Sequence, residues 1–184
     1  MGKIRPALPA KLFVSVLTSI REIMPEVERC LAETYGLPEQ RSETFPFDQT
    51  HYYDEEMGTP LSRVFLSFPE LISPDEIALV KIRTNQIEAS LAERFTSVSR
   101  PANLDPGYVD QAKVVLASTK DFSHRIMISN GIYAEVTLHY QGGQWRSWPW
   151  TFPDFRTGRY NGFFAELREN YRNQIRQMQA GSHD

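Results

Sequence analysis

Most of the side chains that could do chemistry in this 184-residue chain fall within residues 103–150. There, hydroxyl, amide and ionisable side chains are interspersed with apolar runs, so we expect them to lie against a core and not on a polar loop. A polar group placed against a core must be hydrogen-bonded or must take part in chemistry. The stretch therefore predicts a functional site, although it does not name a reaction.

Two turn signals in this stretch predict a β-meander with one polar face. Asn130-Gly131 between strand-like runs is typical of a two-residue hairpin loop, and Gly142-Gly143 marks the next turn. This register pairs Met127 with Ala134. It places on one face His124, Tyr133, Glu135, Thr137, His139, Arg146 and Trp148. It gives the other face, which suits a core, mostly Met127, Ala134, Val136 and Leu138.

The polar face suggests an acid–base site. His124 has an ordinary pKa near neutrality and could act as a general acid or base. Glu135 could orient His124 or bind a cation, and Arg146 could hold an anionic group. The alternative is a solvated sheet face with cross-strand ion pairs, which antiparallel sheets commonly have. A one-residue bulge would rearrange the whole set.

A second group of residues predicts an anion site. Asp105-Pro106-Gly107 is typical of a helix start, whose free N–H groups can bind an anion with Lys113 nearby. The alternative is a plain N-cap by Asp105. Ser118-Thr119-Lys120 could add phosphate donors or could form an ordinary turn. The remaining candidate ligand-binding residues are Asn103 and Arg125.

Residues 48–57 are acidic and contain no Lys or Arg. Asp54, Glu55 and Glu56 are candidate ligands for a divalent cation. His51 lies three residues before Asp54, a spacing that suits one helical face, and it is the third candidate catalytic residue after His124 and Glu135. The alternative is that these acids are simply solvated.

The aromatic residues within 145–155 lie close to Arg156 and Arg159 and precede an arginine-rich last helix. Such a combination could stack nucleic-acid bases, although aromatic residues at strand spacing more often build a core or an interface. An RNA-binding module and a protein-interaction domain that forms a dimer are therefore the alternatives to a small-molecule site.

Periodicity along the chain predicts one α+β domain over residues 1–184, with flexible tails at 1–9 and 180–184. We expect a two-layer sandwich of an antiparallel-rich sheet and helices. Strands are predicted at 11–17, 42–48 and 61–68, and helices follow the first and the third. An extended piece at 100–104 would complete a ferredoxin-like βαββαβ core. Then follow a helix that starts at Asp105, the meander and a last helix at about 158–178.

Composition narrows the classes of protein. The net charge of −3 gives no overall field towards nucleic acid or anionic membranes. The single cysteine, Cys30, excludes an internal disulfide framework and CxxC zinc sites. The apolar runs are far shorter than the ~20 residues of a membrane span, and no P-loop is present. We therefore expect a cytoplasmic protein without a membrane partner.

Six blocks occur in order along the chain. They are Phe45–Asp48, Tyr52-Tyr53 with Glu56-Met57-Gly58, Asn103–Tyr108, Leu116–Arg125, Gly131–Glu135 and Pro149–Asp154. Together they resemble an uncharacterised bacterial family, the domain of unknown function 4416 family, from Lys11 to about Ile175. Its members are often labelled GTP-binding proteins. The resemblance thus implies a nucleotide such as GTP, held without a P-loop by residues such as Lys113, Lys120 and Arg125.

These patterns predict a pocket between residues 103–120, the His124/Glu135 face and the acidic loop. Its expected ligand is a small anionic or phosphorylated molecule, with a divalent cation as a possible cofactor. Phosphoryl or phosphoester transfer or hydrolysis would be the expected chemistry of such a pocket. The sequence leaves open whether the protein is an enzyme and whether it forms a homo-oligomer.

Overall fold

The computed structural model describes residues 2–3 and 6–181. The strands within them are β1 (Ala10–Thr18), β2 (Gln40–Arg41), β3 (Phe45–Pro46), β4 (Ser62–Ile72), β5 (Asn103–Val109), β6 (Lys113–Ser118), β7 (Ile126–Ser129), β8 (Ile132–Gln141) and β9 (Gln144–Ser147). The helices are α1 (Met24–Tyr35), α2 (Asp54–Met57), α3 (Ile77–Arg94), α4 (Pro153–Arg156) and α5 (Asn161–Gly181). The expected tails at 1–9 and 180–184 fall partly outside the described residues.

All of these strands belong to one sheet, and its first half has the ferredoxin-like strand order. β1 lies between β4 and β5 and is antiparallel to both. β2 and β3 pair with β4 on its far side, as two short pieces where one edge strand at 42–48 was expected. Pro46 has no N–H to donate to a ladder, which suits this edge position. The α+β class and its βαββαβ core are confirmed.

Alternation along β1 separates the two larger of the three core clusters in the described residues. Leu12, Val14 and Val16 belong to a largely aliphatic cluster with α1 and α3 on one face of the sheet. Phe13 belongs to a mainly aromatic cluster with α4 and α5. β1 is buried over its whole length because helices cover both faces, which explains its continuous apolar sequence. α5 thus adds a third layer to the two that were expected.

Local signals in the sequence explain the ends of α1 and the start of α3. Pro25 lies in the first turn of α1, and Gly36, with φ 78°, ends that helix. Ser73 and Glu76 form a capping box at a short 3-10 turn that leads into α3. Each signal satisfies or removes a backbone group that a helix end leaves without a partner.

The predicted helix from Asp105 is wrong, because residues 103–118 form β5, a tight turn and β6. The Asp110 carboxylate stabilises the turn by accepting hydrogen bonds from the backbone N–H groups of Ala112 and Lys113. β1 pairs with β5 along the whole of β5, and the added cross-strand contacts outweigh the helical spacing of the apolar residues.

β5 and β6 pair with each other only near their turn. Gly107–Val109 pair with Val114–Leu116. β5 nevertheless stays on β1 as far as Asn103, and β6 stays on β8 as far as Ser118. The sheet therefore forks beyond Gly107, next to Pro106, which has no N–H for a ladder.

Both predicted meander turns are present, but the predicted register between β7 and β8 was wrong. A bulge pairs Met127 with Tyr133, where Ala134 was expected. A second irregularity pairs Val136 and Leu138 with consecutive residues of β6. One extra residue in a strand shifts the facing of those beyond it. Leu138 is accordingly buried, whereas Val136, expected in the core, is 38% exposed.

Candidate functional site

The fork of the sheet contains a cavity of about 530 Å³, within the usual ~300–1,000 Å³ of small-molecule sites. Asn103 and Asp105 of β5 line one side, and α3 contributes Lys81 to the same side. We call these residues, with Glu88 and Arg100, the β5 wall. The opposite side, the β6 wall, consists of Ser118, Thr119, Lys120, His124, Arg125 and Glu135.

On the β5 wall, side chains of α3 replace the missing neighbour strand. Lys81 Nζ donates a hydrogen bond to the Leu104 carbonyl at 2.7 Å, and the Leu104 N–H donates to Glu88 Oε1 at 2.8 Å. Backbone groups away from water need partners, and in a continuous sheet an adjacent strand supplies them. The two buried charges therefore have a structural role.

The same wall is further connected through Asp105. Lys81 Nζ lies 3.1 Å from Asp105 Oδ1, and Asn103 Nδ2 donates to Asp105 Oδ2 at 2.7 Å. Arg100 Nη2 lies 3.0 Å from Glu88 Oε2 and also donates to the Asn103 side chain. Each polar side chain of this wall thus has a partner within the protein.

These contacts and burial shift the pKa values of the two carboxyl groups of the wall, Asp105 and Glu88, in opposite directions. Burial alone would raise the pKa of Asp105, but Lys81 and Arg63 outweigh it and the pKa is lowered. Burial raises the pKa of Glu88, against the opposing effects of Lys81 and Arg100. Burial, with help from Asp105, raises the pKa of Tyr53 on the cavity lining to about 12.

On the β6 wall, Glu135 connects three neighbours. Its Oε2 accepts from Arg125 Nε at 2.7 Å and lies 3.0 Å from His124 Nε2, while Oε1 accepts from Thr137 Oγ1 at 3.1 Å. An ionised carboxylate only accepts, so His124 carries a proton on Nε2. Nδ1 of His124 is buried and has no hydrogen-bond partner.

Arg125 also holds the loop that carries the wall. Its Nη1 donates to Ser118 Oγ at 2.9 Å and to the Lys120 carbonyl at 3.0 Å. Lys120 in turn reaches across the mouth of the cavity, where its Nζ donates to the Tyr52 hydroxyl at 2.9 Å. The ammonium lies 4.5 Å from the centroid of the Tyr52 ring and 5.8 Å from that of Tyr53.

Arg63 lines the cavity and is only 4% exposed. Its Nε lies 2.9 Å from Asp154 Oδ2 without hydrogen-bond geometry, and its Nη1 donates to Ser15 Oγ. The Tyr160 hydroxyl donates to the same Asp154 oxygen at 2.8 Å. Burial alone would lower the pKa of Arg63, but Asp154 together with Tyr160, Asp105 and Tyr53 outweighs it, and the pKa is raised.

The guanidinium of Arg63 has more donors than partners. Arginine has five N–H groups, and among the described residues only Nη1 of Arg63 makes a hydrogen bond, whereas Nε is buried and makes none. A buried donor without an acceptor costs about 1–3 kcal/mol, and more when it is charged. Arg63 therefore presents a charged donor that an acceptor in the cavity would satisfy.

The cavity brings together eight of the fifteen predicted site residues, which are Asn103, Asp105, Ser118, Thr119, Lys120, His124, Arg125 and Glu135. The other seven do not line it. Lys113 pairs with Asp110 at the far turn, and Arg146 lies on β9 opposite His139. The side chain of His51 is 94% exposed and bonds to Asp54 at 2.8 Å.

Gly107 was expected to bind an anion at a helix start. It lies instead in β5, where close packing requires a glycine. A Cβ atom at Gly107 would lie 2.4 Å from the Val115 carbonyl oxygen and 2.5 Å from Cζ of Phe13. Only glycine lets β5, β6 and the Phe13 ring approach this closely.

The predicted cation ligands Asp54, Glu55 and Glu56 lie on α2, outside the cavity lining. Glu56 faces Arg100, with Oε2 at 3.7 Å from Nη1. Within residues 2–3 and 6–181, no group of three or more His, Cys, Asp or Glu side chains is placed to hold a metal ion.

The sequence analysis did not identify three cationic residues of the cavity lining, Arg63, Lys81 and Arg100. A sequence pattern could have indicated the first two. Arg63 is the only charged residue in the apolar run at 61–68. Lys81 lies on the inward stripe of α3 between Ile77 and Thr84. A lone charge at a core position requires a buried partner, and that requirement could have identified both residues.

The two tryptophans that follow β9 form part of a ring stack. Trp148 lies 4.2 Å from the His139 ring and 5.5 Å from the Trp150 ring, between centroids. Trp150 stacks on His124 at 6.1 Å. Trp145, in contrast, is 5% exposed and packs in the aromatic cluster.

The fold and the cavity define an α+β protein with a ferredoxin-like core and a polar, aromatic-lined cleft in an extended sheet. The chain belongs to the family described as Domain of unknown function (DUF4416), which matches residues 8–171. A search of curated proteins and a search of solved structures each find no match. No helix within the described residues has the length and apolar character needed to cross a membrane.

Proposed function

We propose that the protein binds a small phosphorylated ligand in the cavity between β5 and β6. Arg63 carries this proposal, because a buried guanidinium whose N–H groups are only partly hydrogen-bonded lines the cavity. A phosphate group offers several oxygen acceptors, and guanidinium binds such groups with good geometry and charge.

The β6 wall adds two cationic donors. Arg125 and Lys120 both line the cavity, and Lys120 is held by tyrosines instead of a carboxylate. A ligand phosphate at the mouth could replace the Tyr52 hydroxyl as the partner of Lys120 at small cost, because both side chains are exposed. The β5 wall contributes shape more than charge, since its cations are already paired.

GTP, implied by the family resemblance, belongs to the proposal as one candidate, and so does a divalent cation brought in with the ligand. A cytoplasmic location belongs to the same proposal. RNA binding by the last helix has less support. Arg168 lies 3.6 Å from the centroid of the Tyr140 ring, and Arg172 pairs with Glu169.

Calorimetric titration with pyrophosphate, ribose 5-phosphate and GTP, each with and without Mg²⁺, tests the proposal. The variant Arg125→Gln should weaken binding of these probes at least tenfold, because it removes a cationic donor from the lining. Arg146→Gln is the matched control, an exposed arginine outside the cavity. A thermal scan without ligand should first show that both variants fold.

Ligand-dependent stabilisation provides a second readout of the same experiment. A probe at a hundredfold excess over its Kd should raise the unfolding free energy by about 2.7 kcal/mol. The proposal fails if wild type binds none of the three probes, or if Arg146→Gln loses as much affinity as Arg125→Gln.

A further inference from the structure

Exposed aromatic side chains converge on the mouth of the cavity. Eleven large apolar side chains of the described residues are exposed, and three of these are aromatic. Those three, Tyr52, Phe122 and Trp150, are 65%, 63% and 49% exposed, and all of them line the cavity. Exposed aromatic side chains concentrated at one concave site indicate a ligand site more strongly than single exposed apolar residues do, since those are ordinary on protein surfaces.

The charged group of Arg63 and the exposed aromatic rings lie at different depths in the cavity. Arg63 is almost fully buried, whereas the three exposed rings lie where the cavity meets solvent. Phe152 and Tyr53 also line the cavity and are partly buried. A ligand that satisfies both ends has an anionic group directed towards Arg63 and an apolar, planar part near the mouth.

Trp150 is fixed in position by its neighbours. Its ring is nearly parallel to that of Trp148, with an interplanar angle of 6°, and makes an angle of 23° with that of His124. The stack continues to His139 through Trp148. A ring that is held before binding loses little conformational entropy when a ligand contacts it, which favours affinity.

We propose that the ligand of this cavity carries a planar aromatic ring on its phosphorylated part, as nucleotides do. The ring contacts Trp150 at the mouth, and the phosphate lies towards Arg63. This inference rests on the proposed function and narrows it, because a sugar phosphate without a ring would leave the exposed aromatic side chains without a partner.

The test compares ribose 5-phosphate with the 5′-monophosphates of adenosine, guanosine, cytidine and uridine by calorimetry. At least one monophosphate should bind about tenfold or more tightly than ribose 5-phosphate, the effect expected from stacking one base. Trp150→Leu should remove most of that gain and leave ribose 5-phosphate binding unchanged. Trp150→Phe keeps a ring and should keep the gain, and Ile126→Ala is the control for an exposed apolar residue outside the cavity.

The outcomes separate the inference from the function on which it rests. Equal affinity for ribose 5-phosphate and all four monophosphates overturns the inference and leaves the phosphorylated-ligand proposal intact. Equal loss of both kinds of probe in Trp150→Leu shows a structural role for Trp150 and also overturns it. Binding of neither ribose 5-phosphate nor any monophosphate overturns the proposed function, and the inference with it.

Discussion

Lys81 and Lys120 line the same cavity and have opposite surroundings. Lys81, on the β5 wall, is 3% exposed and contacts the Leu104 carbonyl, Asp105 and Glu88. Lys120, on the β6 wall, is exposed and contacts Tyr52 and Tyr53. The first lysine completes the sheet where a strand is missing, whereas the second has no structural task of that kind.

This difference shows how to interpret a charged cavity. A charge on the lining indicates a ligand only after the partners supplied by the protein have been counted. By that count, every polar side chain of the β5 wall already has a partner within the protein. The donors left for a ligand come from Arg63 and from the β6 wall.

The largest effect should come from Lys81→Ala, which breaks the β5 wall. It leaves the Leu104 carbonyl without its donor and removes the cation beside Asp105 and Glu88. Removing one partner from a buried ion pair costs about 3–5 kcal/mol. Urea unfolding should show this loss. A loss below about 1 kcal/mol would mean that the lysine does not substitute for a strand partner.

The second prediction uses the lowered pKa of Asp105. A carboxyl whose pKa is lower in the folded state stabilises the protein above its unfolded value of about 3.9, and this contribution disappears as pH falls through the folded pKa. Asp105→Asn should therefore cost about 1–3 kcal/mol at pH 7 and much less at an acidic pH below the folded pKa of Asp105, where the wild-type carboxyl is protonated.

Urea unfolding of both proteins at the two pH values measures this change. Glu88, whose pKa is raised by burial and also by Asp105, has the opposite pH dependence; it is present in both proteins, so the part of that dependence that comes from burial cancels in the difference. The exposed Asp121 also lines the cavity, and Asp121→Asn should change stability little at either pH. A cost for Asp105→Asn that stays constant with pH would contradict the charge-based role.

The ferredoxin-like half of the fold could be predicted because its signals are local. A continuous apolar run identified β1, and proline, glycine and a capping box set the helix ends. β5 and β6 could not be predicted, because their apolar residues also fit a helical period. Pairing with β1, which is distant in sequence, decides between the two structures.

The residues of the site also fall into a group that local sequence patterns predict and a group that depends on distant strand pairing. His124 and Glu135 are close in sequence across one hairpin, so their association could be predicted despite the bulge, whereas the predicted register did not bring Arg125 to the same face. The roles of Arg63 and Lys81 depend on the fork in the sheet, which exists only after four distant strands have paired. No local pattern encodes that fork.

The smallest effect on stability should come from Lys120→Ala, and it gives the sharpest test of the comparison. Exposed side chains with weak partners usually contribute within about 0.5 kcal/mol. The variant should therefore unfold at nearly the wild-type urea concentration while it binds pyrophosphate more weakly, because a cation is lost from the mouth. Lys113→Ala, outside the cavity, is the matched control and should retain wild-type binding. If Lys120→Ala destabilises the fold as much as Lys81→Ala, the two walls are alike, and the β6 wall is structural as well.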